Sequence, residues 1–452
     1  MRTLRLMTII LFVVIILLPV IFFNFAPDAE SLIDNRKLAE NPFFMEGDLS
    51  INIENYVSDR IGFRNTMISA YTILNDRIFG KMVHPIYTYG KDGYVFGGGI
   101  TTSNDFNDFH IVFADMVKSI QNYCEDRNVP FLFVFNPAKP AIYQDKLTDG
   151  INYNREWVEL FFNELDNRGV HYLDNTITLK ELSDSGVEVF NQKYDANHWN
   201  DMGAFYGTKK ILEQLKKNYT SIHVNELSEF LVSEIQETSL QVSEFPIDEW
   251  VPKIELNIEY KDLTEKYFPE IELHPSFQGF GYFVNEKRKN DGGPKALVFQ
   301  GSYMNGYGYK YMINALGEYI YVHDYQNVID FPYYFNIFQP DCVIFEVAEY
   351  TLFDHHFSYD NMKTIQYNPS LYSLYDKDYL RMDISKEEVI IEEGNTLTKI
   401  IWKTSDMYKY VWIKLDKTYD MKPVENGYQV TIETARADEL IEGMQIFVSN
   451  DE

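Results

Sequence analysis

The amino-acid sequence predicts an α/β fold in three layers, with helices on both faces of a mostly parallel sheet. Amphipathic helical patterns alternate with short and almost wholly apolar segments, as where the helical pattern of residues 109–124 is followed by Phe131 to Phe135. Strands buried on both faces are apolar throughout because neither face meets water. A regular alternation of such strands with helices is typical of parallel sheets with helical crossovers.

The same patterns assign the elements in order. Predicted helices cover residues 48–79, 109–124, 156–165 and 202–215, and predicted strands cover residues 131–135, 171–173, 296–300, 319–322 and 342–347. Gly90 to Phe96 reads as a turn that leads into a short strand. Residues 224–290 are acidic, poorly periodic and interrupted by prolines, which predicts an insertion over one edge of the sheet.

The carboxyl-terminal segment, residues 376–452, has a different pattern. Apolar and polar residues alternate around Val411, Ile413 and Leu415, and Asn426-Gly427 is a strong hairpin signal. We therefore predict a small β-rich region that binds glycan, after a main domain of residues 27–375.

The amino terminus carries an apolar run from Leu6 to Phe23 behind Arg2 and Arg5. A run of about 20 apolar residues spans a bilayer, and basic residues on its flank stay in the cytoplasm. A cleaved signal peptide is the competing interpretation, but prolines stand where a cleavage site would need small residues. Residues 1–26 are thus predicted to be a single-pass anchor that leaves the rest of the chain extracytoplasmic.

Composition excludes several classes of function. The chain has 68 acidic and 40 basic residues and a net charge of −28, which would repel a nucleic-acid backbone. Its two cysteines, Cys124 and Cys342, lie within apolar patterns and are predicted to be buried. No spacing of histidines or cysteines predicts a metal site, no cofactor motif is present, and Asp354-His355-His356 is interpreted as a surface loop.

The strongest chemical signal is an aspartate three residues before a histidine, Asp195 and His198, followed by Trp199. A histidine held by a carboxylate can act as a general base for a serine hydroxyl, which is a weak nucleophile on its own. The candidate serine is Ser302, which follows a predicted buried strand and Gly301. Functional groups collect at the carboxyl ends of the strands in such sheets, so we predict that these residues form a catalytic triad.

These residues resemble the AlgJ/AlgX-like, DHHW-type family of alginate O-acetyltransferases in the SGNH hydrolase-like superfamily. Beside the Asp195 and Ser302 blocks, the matching segments are Asp59 to Arg64, Gly90 to Phe96, Asn136 to Lys139 leading to Tyr143, and Gln339-Pro340-Asp341. The sequence departs from the family pattern at two points. The Asp195 block, Asp195 to Trp199, has one residue more than the usual Asp-x-His-Trp. In the serine block, Gln300-Gly301-Ser302 replaces Gly-Asp-Ser.

The resemblance implies an SGNH hydrolase-like domain that acetylates a polysaccharide through an acetyl-serine, with the donor supplied by a multi-pass membrane O-acyltransferase partner. The residues predicted to contact substrate or the oxyanion are Tyr303, Asn136, Lys139, Trp199 and Asn305. A polysaccharide acetylesterase with the same triad is one alternative. A glycan-binding or assembly protein without catalysis is the other.

Overall fold

The computed structural model describes residues 2–27, 29–31, 36–45, 47–84, 86–101, 105–241, 245–371, 379–382, 388–434 and 443–450. The predicted boundary between residues 375 and 376 lies outside these ranges.

The helices are α1 (Arg2–Ile21), α2 (Leu49–Arg60), α3 (Arg64–Phe79), α4 (Asp108–Glu125), α5 (Lys139–Ile142), α6 (Glu156–Asn167), α7 (Asn175–Asp184), α8 (Asp201–Leu215), α9 (Thr264–Tyr267), α10 (Glu286–Asn290), α11 (Tyr309–Ala315), α12 (Phe331–Phe338) and α13 (Tyr359–Lys363). The strands of the first part of the chain are β1 (Glu30–Ser31), β2 (Arg36–Lys37), β3 (Tyr87–Tyr89), β4 (Val95–Gly97), β5 (Phe131–Asn136), β6 (Tyr172–Asp174), β7 (Leu231–Ser239), β8 (Pro246–Glu255), β9 (Lys261–Asp262), β10 (Phe280–Val284), β11 (Lys295–Gln300), β12 (Glu318–His323) and β13 (Cys342–Ala348). The strands of the carboxyl-terminal part are β14 (Leu380–Met382), β15 (Val389–Glu393), β16 (Leu397–Lys403), β17 (Tyr410–Lys414), β18 (Thr418–Asp420), β19 (Lys422–Val424), β20 (Gly427–Glu433) and β21 (Gln445–Ser449).

The central sheet has seven strands in the order β6-β5-β13-β11-β12-β10-β9. The first five run parallel, while β10 and β9 add to the edge in antiparallel fashion. The predicted α/β fold with a mostly parallel sheet is confirmed. One face of the sheet is covered by α4, α6, α12 and α13, and the other by α5, α7, α8 and α11. A separate apolar core lies between the sheet and each of these two helical layers.

The parallel strands end at one edge of the sheet. Residue pairs along this edge are Ala348 with Asn136 between β13 and β5, and Gln300 with His323 between β11 and β12. Side chains that follow these strands therefore meet above the same edge, where ligands bind in open α/β sheets.

The predicted insertion is more regular than its sequence indicates. Strands β7 and β8 form a long hairpin, and the chain then returns to the sheet as β9 and β10. The sequence analysis missed β10, in which Phe280, Tyr282 and Val284 are buried, because prolines and charged residues precede it.

The helix predicted over residues 48–79 is divided into α2 and α3. The chain turns at Phe63, whose φ of 63° is left-handed, and a Cβ at Gly62 would meet Phe22 at 2.7 Å. Arg60 is 2% exposed and donates hydrogen bonds to the carbonyls of Asn24 and Ala26. The segment that follows α1 therefore packs closely against the turn between α2 and α3. The Asp59 to Arg64 motif has the structural role of holding these two segments together.

Helix α1 is exposed along most of its apolar length, and Thr3–Ile21 is long and apolar enough to cross a membrane. A membrane anchor and a signal sequence both have these properties.

The β-rich carboxyl-terminal region consists of two four-stranded sheets, β14-β21-β17-β18 and β15-β16-β20-β19, packed around Trp402, Ile413 and Tyr419. Gly427, with φ of 145°, begins β20 at the predicted hairpin turn. The region joins the α/β part through Asp420, whose carboxylate accepts hydrogen bonds from Arg127 at 2.9 and 3.0 Å.

Replacing Asp420 by alanine is expected to lower the free energy of unfolding by about 3–5 kcal/mol, because it leaves the guanidinium of Arg127 without its buried partner. Tyr123, whose hydroxyl also donates to Asp420, loses its acceptor as well. Urea denaturation measures the change. The matched control is Asp149→Ala, which removes an exposed ion pair with Lys91 and should cost no more than about 1 kcal/mol. Equal effects of the two substitutions would contradict this role of Asp420.

Candidate active site

The predicted catalytic residues come from two segments at the carboxyl edge of the sheet. Asp195 and His198 lie in the loop before α8, and the side chain of Asn200 caps that helix by accepting a hydrogen bond from the amide of Gly203 at 3.0 Å. Ser302 follows the last residue of β11 by two positions. The chain becomes helical at Ser302 and continues through a π-helical segment, Met304–Gly308, into α11.

The three side chains form a continuous hydrogen-bonded chain. His198 Nδ1 lies 2.6 Å from Asp195 Oδ1, and His198 Nε2 lies 2.9 Å from Ser302 Oγ. A carboxylate can only accept, so we assign the proton of the neutral imidazole to Nδ1, which leaves Nε2 as the acceptor for the serine hydroxyl. The Asp195 side chain is 1% exposed and that of His198 is 20% exposed. The imidazole thus meets solvent and the carboxylate does not.

Burial alone would favour the neutral forms of Asp195 and His198. Their mutual attraction outweighs burial, so that the pKa of Asp195 is lowered and the pKa of His198 is raised from their ordinary values. The site therefore favours an imidazolium next to an ionised carboxylate, which is the pair that forms when the histidine accepts a proton.

Tyr307 is a site residue that the sequence analysis did not find. Its hydroxyl donates a hydrogen bond of 2.7 Å to Asp195 Oδ2, so that both carboxylate oxygens are engaged. The tyrosine lies in the π-helical segment, and such segments occur frequently at functional sites. Asp195 itself has a left-handed φ of 49°, a conformation that aspartate tolerates and that these hydrogen bonds stabilise. The position of Tyr307, five residues after Ser302, was the only sequence signal.

Substituting Tyr307 by phenylalanine is expected to lower kcat about tenfold, because a hydrogen bond to a charged group contributes about 1.5–3 kcal/mol and its loss raises the pKa of Asp195. The measurement is steady-state hydrolysis of a chromogenic acetyl ester. Tyr309→Phe, two residues further along the chain, serves as the matched control. A wild-type rate for the Tyr307 variant would show that its hydroxyl does not support Asp195.

A second tyrosine, Tyr350, stands beside the serine. Its hydroxyl is 3.3 Å from Ser302 Oγ, and burial raises its pKa well above the ordinary range, so that it stays protonated. Tyr350 follows β13, the strand next to β11, and this position at the sheet edge was the signal available in the sequence. A neutral hydroxyl at this distance can donate to an oxygen that is bound to the serine.

Below the serine, a buried carboxyl group holds the strand end. Glu346 Oε2 accepts from the amide of Gly301 at 2.9 Å and Oε1 accepts from Asn136 Nδ2 at 2.7 Å. Burial, together with repulsion from Asp324, raises the pKa of Glu346 to about 8. Asn136 is fully buried by these contacts and contributes to the position of Gly301, so its predicted role as a side-chain donor to the oxyanion is corrected.

The predicted substrate contact through Lys139 is also corrected. Its side chain is 0% exposed, and its ammonium donates hydrogen bonds to the carbonyls of Val95 at 2.6 Å and Gln192 at 3.1 Å. Burial lowers the pKa of Lys139 to about 7. The lysine therefore ties β4 to the chain that leads into the catalytic loop, and it does not meet a substrate.

Trp199 and Tyr303 pack together behind the imidazole, and neither side chain is exposed. The indole donates to the carbonyl of Tyr303 at 2.9 Å, and the hydroxyl of Tyr303 donates to the carbonyl of Asn197 at 3.0 Å. Stacking of a sugar on Trp199 is thereby excluded, whereas donation from the backbone amide of Tyr303 to an oxyanion stays a prediction. Asn305 is half-buried and accepts from Gln300 at 2.6 Å, so its role at the oxyanion stays a prediction.

The hairpin β7–β8 contributes one more positioning residue, Glu249. Its carboxylate accepts hydrogen bonds from the backbone amides of Gln192, Lys193 and Tyr194, at 2.6–3.1 Å. These residues directly precede Asp195. The insertion thus fixes the catalytic loop from outside, which its sequence gave no reason to predict.

Comparison with known protein families agrees with the motifs. Residues 89–241 match the family model ALGX, described as the SGNH hydrolase-like domain of the acetyltransferase AlgX. The match confirms the predicted resemblance, and it includes Asp195 and His198 but ends before Ser302. No curated protein matches the chain.

Several solved structures match part of this chain. PatB1 of Bacillus cereus has a TM-score of 0.45 and 14% identity, with 59% of this chain and 97% of that chain covered. The O-acetyltransferase domain of Pseudomonas putida AlgJ has a TM-score of 0.41 and 13% identity, with 59% and 91% covered. A DHHW family protein from Eubacterium siraeum has a TM-score of 0.41 and 16% identity, with 62% and 98% covered. All three identities and TM-scores are low, so the assignment of residues rests on the geometry of this chain alone.

Proposed function

We propose that the protein is an O-acetyltransferase that acts on a polysaccharide through the triad Asp195, His198 and Ser302. The observation that carries this proposal is the hydrogen-bonded chain from Asp195 through His198 to Ser302 Oγ, with distances of 2.6 and 2.9 Å. The SGNH hydrolase-like acetyltransferase domain of residues 89–241 supports the reaction class.

In the first half-reaction Ser302 Oγ attacks the carbonyl carbon of an acetyl donor while His198 Nε2 takes the hydroxyl proton. Asp195 keeps the imidazole in its orientation and stabilises the imidazolium. The tetrahedral intermediate collapses when its bond to the donor's leaving group breaks, and that group leaves with the proton from His198. The product is acetyl-Ser302 and a neutral imidazole.

In the second half-reaction His198 removes the proton from a sugar hydroxyl, whose oxygen attacks the acetyl carbon. The bond from the acetyl carbon to Ser302 Oγ then breaks, and the serine takes the proton back from the imidazolium. The tetrahedral intermediate of each half-reaction carries an oxyanion. The amides at the start of the helix that begins at Ser302, and the hydroxyl of Tyr350, are suited to stabilise it.

The apolar α1 supports a single-pass anchor in the cell membrane, with the remaining chain outside the cytoplasm. In this arrangement a multi-pass membrane O-acyltransferase partner supplies the acetyl donor. The β-rich region contributes to glycan binding, and this part of the proposal is supported by a cavity of about 500 Å³ at its junction with α12, whose lining includes Tyr333, Tyr408 and Tyr428.

The test is to incubate the full-length protein in detergent with a chromogenic acetyl ester and to locate the acetyl group by mass spectrometry. An adduct of one acetyl on Ser302, absent from Ser302→Ala, supports the proposed intermediate. Adding acceptor glycans then separates transfer from hydrolysis, since an acetylesterase gives free acetate only. Absence of the adduct together with equal background rates in both proteins would favour a binding role without catalysis.

A further inference from the structure

A group of six rings that the triad does not use lies beside the candidate active site. We call it the ring cluster, and it consists of Phe277, His323, Tyr325, Phe353, His355 and His356. The ring of Tyr325 stacks on His356 with centroids 4.1 Å apart, and it lies 4.4 Å from His323. Three of the nine histidines of the chain are thus brought together at one place.

The ring cluster begins next to the serine. His323 ends β12 and is paired in register with Gln300, two residues before Ser302. A Cβ at Gly301 would lie 3.9 Å from the hydroxyl of Tyr325. The backbone of Gly301, directly before Ser302, therefore lies close to Tyr325 at the base of the cluster.

The outer rings of the cluster face solvent. Tyr325 is 8% exposed and forms the base, whereas Phe353 is 40% exposed and His355 is exposed. In His356 the buried Nδ1 atom has no hydrogen-bond partner among the described residues, and leaving such an atom unpaired is unfavourable. Burial, reinforced by His355 and His323, lowers the pKa of His356 to about 4, so its imidazole is neutral at physiological pH.

In the described part of the chain no group of three or more histidine, cysteine, aspartate or glutamate side chains is arranged to hold a metal ion. What the cluster offers instead is aromatic faces together with the neutral imidazole of His356, a ring type that can both donate and accept hydrogen bonds.

An acidic cavity adjoins the cluster at Phe353. Its volume is about 800 Å³, and its lining includes the four aspartates Asp105, Asp108, Asp354 and Asp360. Its described lining contains no lysine or arginine. The chain as a whole carries a net charge of −28, so a ligand with carboxylates would approach against the field of the protein.

We propose that the ring cluster and the adjoining acidic cavity form the acceptor subsite, and that this subsite takes a glycan without carboxylate groups. The inference rests on the proposed acetyl transfer, in which a sugar hydroxyl must reach acetyl-Ser302. The C–H face of a sugar packs against the negative face of an aromatic ring. The histidine rings and the aspartates hydrogen-bond its hydroxyls, and the same aspartates repel a polyuronate.

Glycan binding is measured by calorimetry on full-length Ser302→Ala, which cannot turn the acceptor over. The probes are neutral hexose oligosaccharides of several linkages and a polyuronate oligosaccharide of equal length. A neutral oligosaccharide is expected to bind, and the added pair Phe353→Ala and His355→Ala is expected to raise its Kd at least about tenfold. Matched controls are Phe268→Ala, at a phenylalanine that is 41% exposed, and His171→Ala, at an exposed histidine. Both should leave the Kd unchanged.

Three outcomes would overturn the proposal: no binding of any neutral oligosaccharide, an unchanged Kd in the paired variant, or preference for the polyuronate. Acetyl release by the wild-type protein is measured separately. If the wild type releases no acetyl but neutral glycans bind as expected, the binding subsite stands and acetyl transfer is refuted.

Discussion

Replacing Ser302 by alanine is expected to lower kcat for acetyl transfer by about 10⁴–10⁶-fold, as in other triad enzymes that lose the nucleophile. The hydroxyl oxygen of Ser302 is the nucleophile that forms the covalent intermediate. No other described side chain combines a nucleophilic hydroxyl with a hydrogen bond to His198 Nε2. Tyr350 lies 3.3 Å away, but burial keeps its hydroxyl protonated, so it does not replace the serine as nucleophile. Rates with a chromogenic acetyl ester measure the effect.

His198→Ala should cause a loss of similar size, and combining it with Ser302→Ala should cause little further loss. Residues that act as one unit lose their joint contribution when either is removed. Ser119→Ala, on the exposed side of α4, is the control that should retain the wild-type rate. A wild-type rate for Ser302→Ala, with the acetyl group found on another residue, would contradict the assignment of the nucleophile.

The sequence predicted those parts of the site whose signals are local. Asp195 and His198 are three residues apart in one loop, and Ser302 follows an apolar strand, so their types and positions are readable along the chain. Tyr307 and Tyr350 reach the site only through the packing of a π-helical segment and of a neighbouring strand. Their positions along the chain, after Ser302 and after β13, were the only signals in the sequence, and a position alone does not report such a contact.

The same reason explains why substrate contacts were assigned to buried residues. Lys139 and Trp199 stand next to sheet-edge motifs, and residue type alone does not give the depth of a side chain. Their polar atoms instead bind backbone carbonyls and hold the catalytic loop. At the level of the fold, β11 and β13 were predictable because both consist mostly of apolar residues, whereas β10 was missed since its place in the sheet depends on pairing with β12.

Replacing Asp195 by asparagine is expected to lower kcat by about 10⁴-fold and to change its pH dependence. The amide cannot stabilise the imidazolium, and it can hold His198 in the wrong tautomer by donating to Nδ1. In the wild type the pKa of His198 is raised, since attraction to Asp195 outweighs the effect of burial. The neutral imidazole is the active form, so activity should rise with pH through a pKa above about 6.5, the ordinary value for histidine.

Without the carboxylate charge only burial remains, and burial lowers the pKa of His198. The residual activity of Asp195→Asn should therefore rise at lower pH than that of the wild type, although its plateau is far lower. A pH series of kcat/KM separates this result from simple misfolding. Misfolding would lower the plateau of kcat/KM without moving the acidic limb, which is the pH range over which activity rises. Asp184→Asn, at an exposed aspartate paired with Lys180, should change neither quantity. An acidic limb that stays in place in Asp195→Asn would mean that the carboxylate does not set the pKa of His198, and the triad would then lack its third member.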